Sequence, residues 1–591
     1  MIAPLLTSLI AALAAAQLRE PARVASTANV SERGGRRNAP VDSARVVREA
    51  RRAQEQFEML RRANLPFGRG ARPDACDLRV GRLCYWHDDG DSPPEIPEPE
   101  RIARGREQLL SALADAQRRI SGDEWVVGQR VRYLIDARRA ADAIDAAAGC
   151  ASTPWWCAAL SGLALHRGGE FARADSAFDV ALREMSEEQR CRWTDISMFL
   201  DGAAAKRYRD LPCSERGGFE RRFWWLAQPL YGLPANDLRA EFLARRTMSR
   251  LEQQARSAYN MSWGSDVEEL LMRFGWPTWW TRDHPSSFAA PGPPSIVGHE
   301  PTPSFFFHPS ARLLERHPAD ARPGDWEPRA KLPGARYAPA YAASFSELRT
   351  QSAVFRRGDS ALVVVTYEQP TDPLFEAGIT EAVLAVGADE QTPMAVVRQH
   401  PSSDRVEPLA VRTAWKPMLA SVEVRSAKHR GVARARFGIR PDEERRTRTG
   451  RVALSDMLLY RVVDSSAATL DDIARYALGT GRITGARVGL YWEMYGVRPA
   501  GEPLSVTLTV ERVGTGWRTR AAERLGLARK ATPLRVRWQE VPKRDSGIAS
   551  RAIVIDVAGL PSGRYRMQLM VTADDGSTAT SERVVELLPP R

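Results

Sequence analysis

Eight histidines, at positions 87, 166, 284, 299, 308, 317, 400 and 429, are the first residues to weigh for catalysis or metal binding. None stands in an H-E-x-x-H arrangement or in any other pair at metal-ligand spacing. A G-x-S-x-G nucleophile elbow, a Walker loop and a dinucleotide fingerprint are also missing. His87-Asp88-Asp89-Gly90-Asp91 is acidic, but it lacks the alternating ligands and distal Glu of an EF-hand and reads as a solvated loop. Glu493, between Trp492 and Met494, alternates with aromatic residues on a predicted strand. Glycosidases pair such a Glu with a second carboxylate roughly 5–10 Å away. Spacing cannot supply that partner, and the simpler reading is a strand Glu facing solvent or an arginine. No catalytic residue, metal ligand or cofactor is indicated.

The six cysteines, Cys76, Cys84, Cys150, Cys157, Cys191 and Cys213, fall into three sequence-adjacent pairs without a C-x-x-C. Fifteen connectivities are open to six cysteines. Adjacency favours Cys76–Cys84, Cys150–Cys157 and Cys191–Cys213, each loop worth roughly 2–4 kcal/mol. Such pairing needs an oxidising compartment. Residues 2–16 are uncharged and mostly apolar, and Ala14-Ala15-Ala16 offers a cleavage site, so 1–16 reads as a signal peptide, although no basic residue precedes it. No later stretch reaches 18 apolar residues, so no transmembrane segment is expected. The expected location is periplasmic or extracellular. The net charge of +12 is spread along the chain, and only six of its 85 basic residues are lysine. Without an aromatic RNA-binding stripe or a Cys/His finger, this reads as solvated arginine surface rather than a nucleic-acid groove.

The elements that would position a site begin with an echo at an offset of 34 residues. Gly128, Ala140, Ile144 and Ala147 recur as Gly162, Ala174, Phe178 and Ala181. The second copy resembles the tetratricopeptide pattern through Gly169, Phe171 and the helix that follows. That resemblance implies stacked helical hairpins with a concave surface for protein partners. Trp125, Trp155 and Trp156 fall near the starts of first helices, where large residues fill gaps. Upstream, residues 43–64 form a candidate amphipathic helix on Val46, Val47, Phe57 and Leu60, and the rest of 17–95 reads as linker with a Cys-bracketed loop.

Residues 215–340 are dense in tryptophan: Trp224, Trp225, Trp263, Trp276, Trp279 and Trp280. A helix is predicted over 236–260, capped by Asn236 or Asp237. Trp224, Asn236, Glu241, Phe242, Arg245, Trp263, Asp266, Arg273, Gly275 and Pro277 occur in an order similar to the GWxTD domain of bacterial exported proteins. The signature departs at Ser262, where that family has Gly, and at Ser265, where it has Thr. The resemblance implies architecture more than activity. Trp263, Asp266, Trp276, Trp279 and Trp280 are the candidate binding residues, with Asp266 alternatively capping the element after it.

Beyond residue 340 the period switches to two. Strands are predicted at 361–367, 382–386, 409–411, 420–424 and 432–437, then at 488–495, 504–510, 534–538, 552–557 and 565–571. Trp492 and Trp538 are expected in a core, and 465–479 in a helix or loop. The fold class is multidomain α+β. It comprises a signal peptide (1–16), a linker (17–95), a tetratricopeptide-like helical domain (96–214), a GWxTD-like α/β segment (215–340) and two immunoglobulin-like β-sandwiches (341–440 and 441–591). The expected function is non-catalytic binding or scaffolding of protein partners at the cell envelope, in an undefined oligomeric state. The alternative is a hydrolase of an envelope glycan or peptide, acting in the tryptophan-rich segment. If the cysteines pair as expected, thiol labelling of denatured, unreduced protein from its native compartment modifies none of the six; labelling of all six would place the chain in a reducing compartment.

Overall fold

The apolar stripe at 43–64 forms α1 (Ser43–Asn64), which buries Val46, Ala50 and Phe57. The computed structural model describes residues 42–68, 77–86, 94–283, 295–331, 334–401, 408–426, 428, 430–442, 451–462, 469–498, 501–513, 533–542 and 547–589. By internal contacts the chain divides into Met1–Ser43 and Ala44–Arg591. The expected signal peptide, Cys76 and the acidic loop at 87–91 lie outside the described residues. The N-terminal half is helical and the C-terminal half is rich in β-sheet. Among the described residues no helix is long and apolar enough to cross a membrane.

After α2 (Glu100–Arg119) come two helical hairpins: α3 (Glu124–Asp136) with α4 (Ala140–Ala148), and α5 (Pro154–Arg167) with α6 (Phe171–Glu184). Asp123 caps α3 by accepting from the Val126 amide, and Pro154 opens α5, where its missing N–H costs nothing. The echoed glycines sit at close approaches. A Cβ on Gly162 would lie 2.6 Å from the Phe178 ring of α6, and one on Gly128 2.5 Å from Leu251. Disulfides Cys150–Cys157 and Cys191–Cys213 brace this region as expected. The second links α7 (Glu187–Thr194) to the start of α9 (Cys213–Ala227), past α8 (Gly202–Asp210).

Two expectations are corrected. First, the face the hairpins would offer a partner is filled by the chain's own α10 (Asp237–Gln253), which packs on α3, α5 and α6 and buries Leu238, Phe242, Met248 and Leu251. A helix with two apolar faces has to be covered on both. Second, 17–95 is not simply linker. One hydrophobic cluster runs from Val46 through Trp156 and Phe242 to Phe345, so α1, the hairpins and the tryptophan-rich segment share one core. α1 also sends Gln54, Glu58 and Arg61 inward, where Glu58 accepts from the Tyr133 hydroxyl at 2.5 Å and Arg61 meets Asp136 at 2.6 Å. The Cys-bracketed loop is in part a hairpin of β1 (Leu78–Val80) and β2 (Leu83–Tyr85). After α11 (Ser265–Phe274), a second two-stranded arm joins β3 (Trp279–Asp283) to β4 (Ser295–His299).

Eight strands follow: β5 (Ser344–Glu347), β6 (Thr350–Arg357), β7 (Ser360–Tyr367), β8 (Glu381–Gly387), β9 (Ala395–Gln399), β10 (Leu409–Ala414), β11 (Met418–Ser426) and β12 (Gly431–Ile439). They form sheets of order β10-β7-β6 and β5-β12-β11-β8-β9 around a shared cluster that includes Val363, Leu384, Val422 and Ala433. The remaining strands are β13 (Ala453–Leu454), β14 (Leu458–Tyr460), β15 (Arg482–Ile483), β16 (Arg487–Tyr495), β17 (Leu504–Arg512), β18 (Leu534–Glu540), β19 (Ile548–Asp556), β20 (Gly563–Thr572) and β21 (Thr578–Leu587). One sheet runs β13-β16-β14 with β19 on β16, the other β15-β21-β20-β17-β18, and Trp492, Leu508 and Met567 lie between them. Trp492 is fully buried, whereas Trp538 is half-buried at the edge of that cluster. Glu493 faces an arginine: Arg357 donates both ends of its fork to the buried carboxylate, at 2.6 and 2.8 Å.

The sheet containing β11 and β12 is buried on both faces. One face joins the core just described. The other turns Ser421, Glu423, Arg434 and Arg436 onto the loop after α9. Glu423 accepts from the Tyr231 and Gly232 amides at 2.8 Å each. Arg436 donates to the carbonyls of Leu226 at 3.0 Å and Gln228 at 2.6 Å, and Arg434 to that of Pro229 at 2.6 Å. Removing one member of a buried ionic group typically costs about 3–5 kcal/mol, because the remaining charges stay desolvated. Glu423→Gln should therefore lower the unfolding free energy by an amount of that order in chemical denaturation. A loss below about 1 kcal/mol would show that this contact behaves like a surface pair.

Candidate functional site: a tryptophan-lined cleft

α11 ends at Gly275, whose φ of +94° suits glycine, and the chain turns through Trp276 and Pro277 into β3. This turn forms one wall of a cleft of about 610 Å³. The ends of α3 and α5 form the opposite side, through Ile135 and Arg167. Trp276, Trp279 and Trp280 all line it, as do five prolines: Pro94, Pro277, Pro301, Pro303 and Pro339. Trp279 stacks on its cross-strand partner His299, with ring centroids 3.6 Å apart and planes 6° apart. Trp280 meets Tyr259 edge-on at 4.7 Å. The Arg167 guanidinium lies over the Trp276 ring, 5.3 Å from its centre.

The arginines of the cleft differ in how their charge is met. Arg61 pairs with Asp136 at 2.6 Å, Arg132 with Glu252 at 3.6 Å, and Arg138 with Glu95. Arg167 and Arg430 make no ion pair among the described residues; Arg430 donates to the Ala340 carbonyl at 3.1 Å. Glu300 is also in the wall.

A smaller hollow of about 120 Å³ shares Arg167, Trp276 and Pro301 with the cleft. His166, Glu241, Arg245 and Tyr337 line it. Glu241 and Arg245 are one turn apart on α10, and Arg245 Nε donates to Glu241 Oε1 at 2.7 Å. His166 Nε2 is 2.7 Å from Glu241 Oε2. The other guanidinium nitrogens of Arg245 donate to the carbonyls of Met272, Arg273 and Arg336, tying α10 to the end of α11. Burial opposes charge on Glu241, but Arg245 and His166 outweigh it and hold the carboxyl well below its usual range. Asp237, one turn before Glu241, is fully buried; burial pushes it up to about 6 against the hydrogen bond from the Tyr341 hydroxyl at 2.9 Å. His166 Nδ1 and Asp237 Oδ1 are buried without a hydrogen-bond partner in the structure.

The structure thus gathers three of the five candidate residues and leaves two elsewhere. Trp263 lines a separate hollow of about 460 Å³ beside Trp125. Asp266 does not cap α11, whose N-cap is Gly264. Its carboxylate instead takes a fork from Arg82 at 2.6 and 2.7 Å, and the Arg82 amide at 3.1 Å, so it clasps the β1–β2 turn. The hydrogen bond from Arg82 holds Asp266 well below the usual carboxylate range. Spacing did not reveal His166 or Arg167 as site residues. Among the described residues no group of three or more His, Cys, Asp or Glu could hold a metal ion.

No protein-family model and no curated protein matches this sequence. Among solved structures, one of a 1.5-MDa bacterial ice-binding adhesin aligns at 9% identity and a TM-score of 0.14, covering 42% of this chain and 66% of that one. Red sea bream transglutaminase aligns at 11% identity and 0.12, covering 41% of this chain and 31% of that one. The FN1–FN3 domains of chicken CNTN1 align at 11% and 0.13, covering 42% and 67%. The chain spans less than two thirds of the first two, and likeness at these TM-scores assigns no activity.

Asp237 generates a pH prediction. Its folded pKa of about 6 lies above the ordinary 3.8, so its stabilising contribution is complete below pH 3.8 and is lost as pH rises through about 6. At about 1.4 kcal/mol per unit, the loss is about 3 kcal/mol. Wild type should lose stability relative to Asp237→Asn between pH 4 and pH 7 in parallel denaturation curves. A pH-independent difference would contradict the assignment.

Proposed function

We propose that the chain is a non-catalytic binding protein of an exported compartment, with a ligand site in the cleft of Trp276, Trp279 and Trp280. One observation carries this reading: a cleft of about 610 Å³, within the usual range for small-ligand sites, joins three indoles to charged side chains. Flat apolar faces beside planar polar groups suit a saccharide ring, whose C–H face packs on aromatic rings while its hydroxyls take hydrogen bonds. The two disulfides support export. The helical hairpins support the tetratricopeptide-like reading, but α10 occupies one face of them, so ligand contact passes to the cleft. The order of Glu241, Arg245, Gly275 and Pro277 around one turn supports the GWxTD-like reading of 215–340. Paired sheets in 341–440 and 441–591 support immunoglobulin-like sandwiches. In the second, the Tyr565 hydroxyl donates to the Pro561 carbonyl at 2.7 Å, in the manner of a tyrosine corner.

A second reading is a hydrolase at the same place. Asp237 and Glu241, one turn apart on α10, have acidities pushed in opposite directions, as acid–base pairs require. Against it, Asp237 has no exposed surface and Glu241 is committed to His166 and Arg245.

Titrating the full chain with neutral and acidic hexose oligomers, followed by indole fluorescence, tests the binding reading. Saturable quenching is expected in wild type and in Asp266→Asn, and at least an about tenfold weaker response in Trp279→Ala at unchanged melting temperature. Silence of wild type toward every oligomer overturns it, and steady release of reducing ends that Glu241→Gln abolishes would put the hydrolase in its place.

A further inference from the structure

We propose that the cleft selects an acidic saccharide and that Arg167 takes its carboxylate, an inference that rests on the binding reading above. Arg167 ends α5, a position where a basic side chain commonly complements the helix dipole. That ordinary role does not account for it here. The last carbonyls of α5 are already taken by backbone amides: Ala164 by Gly168, Leu165 by Glu170 and His166 by Gly169. The guanidinium instead lies over the Trp276 ring, and the side chain is at the boundary shared by the cleft and the inner hollow.

A guanidinium carries five N–H donors in a planar fork that matches a carboxylate. No hydrogen bond or ion pair claims these donors on Arg167 among the described residues. The contrast with its neighbours is sharp, since Arg61, Arg132 and Arg138 each spend their charge on a carboxylate in the same cleft. Stacking on Trp276 restrains the fork before a ligand arrives, which lowers the ordering cost of binding. Arg430 adds a second positive charge on the wall. Glu300 repels an acid from its own side. The carboxylate of a bound uronate is thereby directed to Arg167, with its ring against the indoles.

Trigalacturonate and neutral galactotriose provide the test, titrated into the full chain at low and at physiological salt. The acidic trimer should bind about 10- to 100-fold tighter than the neutral one, the range of a charge-assisted hydrogen-bonded contact. The preference should weaken with salt. Arg167→Gln should abolish the preference while leaving neutral binding and melting unchanged, and Arg167→Lys should restore part of it. Equal binding of both trimers by wild type, or a preference that survives Arg167→Gln, overturns the inference and leaves the binding reading standing. Binding of neither trimer overturns the inference, while a response to other neutral oligomers would still sustain the binding reading. Equally tight binding of a tetraglutamate peptide would overturn the choice of a saccharide.

Discussion

The buried ionic group of Glu423, Arg434 and Arg436 is the constraint on which the arrangement depends. It lies where the β11–β12 sheet meets the loop after α9, and every contact it makes there is to backbone: two amides accepted by Glu423 and the carbonyls of Leu226, Gln228 and Pro229. A loop leaving a helix carries unsatisfied carbonyls that burial would otherwise leave stranded. Here they are met by guanidinium groups, and the guanidinium charges are met in part by Glu423, 3.8 Å from Arg436. Arg436 also lies over the Tyr231 ring at 4.0 Å. The result is a directional joint rather than a sliding apolar contact, and it sets the start of α10 relative to the sheet.

From that joint the consequences run along α10. Asn236 caps it, accepting from the Arg239 amide, while its own amide group donates to the Trp224 carbonyl at 2.6 Å. Leu238, Phe242 and Leu251 fill the face of the hairpins. One turn of the same helix, Glu241 to Arg245, reaches the end of α11 through three carbonyls. The turn at Gly275 is therefore held from behind by Arg245, and Trp276 leaves it in a defined direction. Cleft, hollow and hairpins are coupled through one helix, so a ligand against Trp276 would press on an element whose other face is core.

Parts of this were legible from the chain alone. The boundaries of α1, the start of α10 and the central strands follow from periodicity, and two cysteine pairs from adjacency, because these depend on neighbours a few residues apart. Strand β6 was missed because its Thr, Gln, Ser and Arg residues look like surface; they are half-buried between stacked sheets, where Gln351 donates to the carbonyls of Leu459 and Leu478. Of the site, the tryptophan density at 276–280 was visible, since composition alone marks it. Trp263 and Asp266 were grouped with it by proximity in sequence, yet α11 carries the chain away between them.

What the sequence by itself determined is local: helix and strand periods, caps, small residues at 128 and 162, and cysteines close enough to pair. What only the tertiary structure decided is which faces are covered. Alternation in Ser421-Val422-Glu423-Val424 assigns the polar positions to solvent, but docking against the helical half buries them, and their charges are tolerated only because distant backbone groups complete them. His166 and Glu241 stand 75 residues apart, and Arg167 reaches Trp276 across 109. No pattern of short period encodes such meetings; they arise from the packing of α5, α10 and the Gly275 turn about one core.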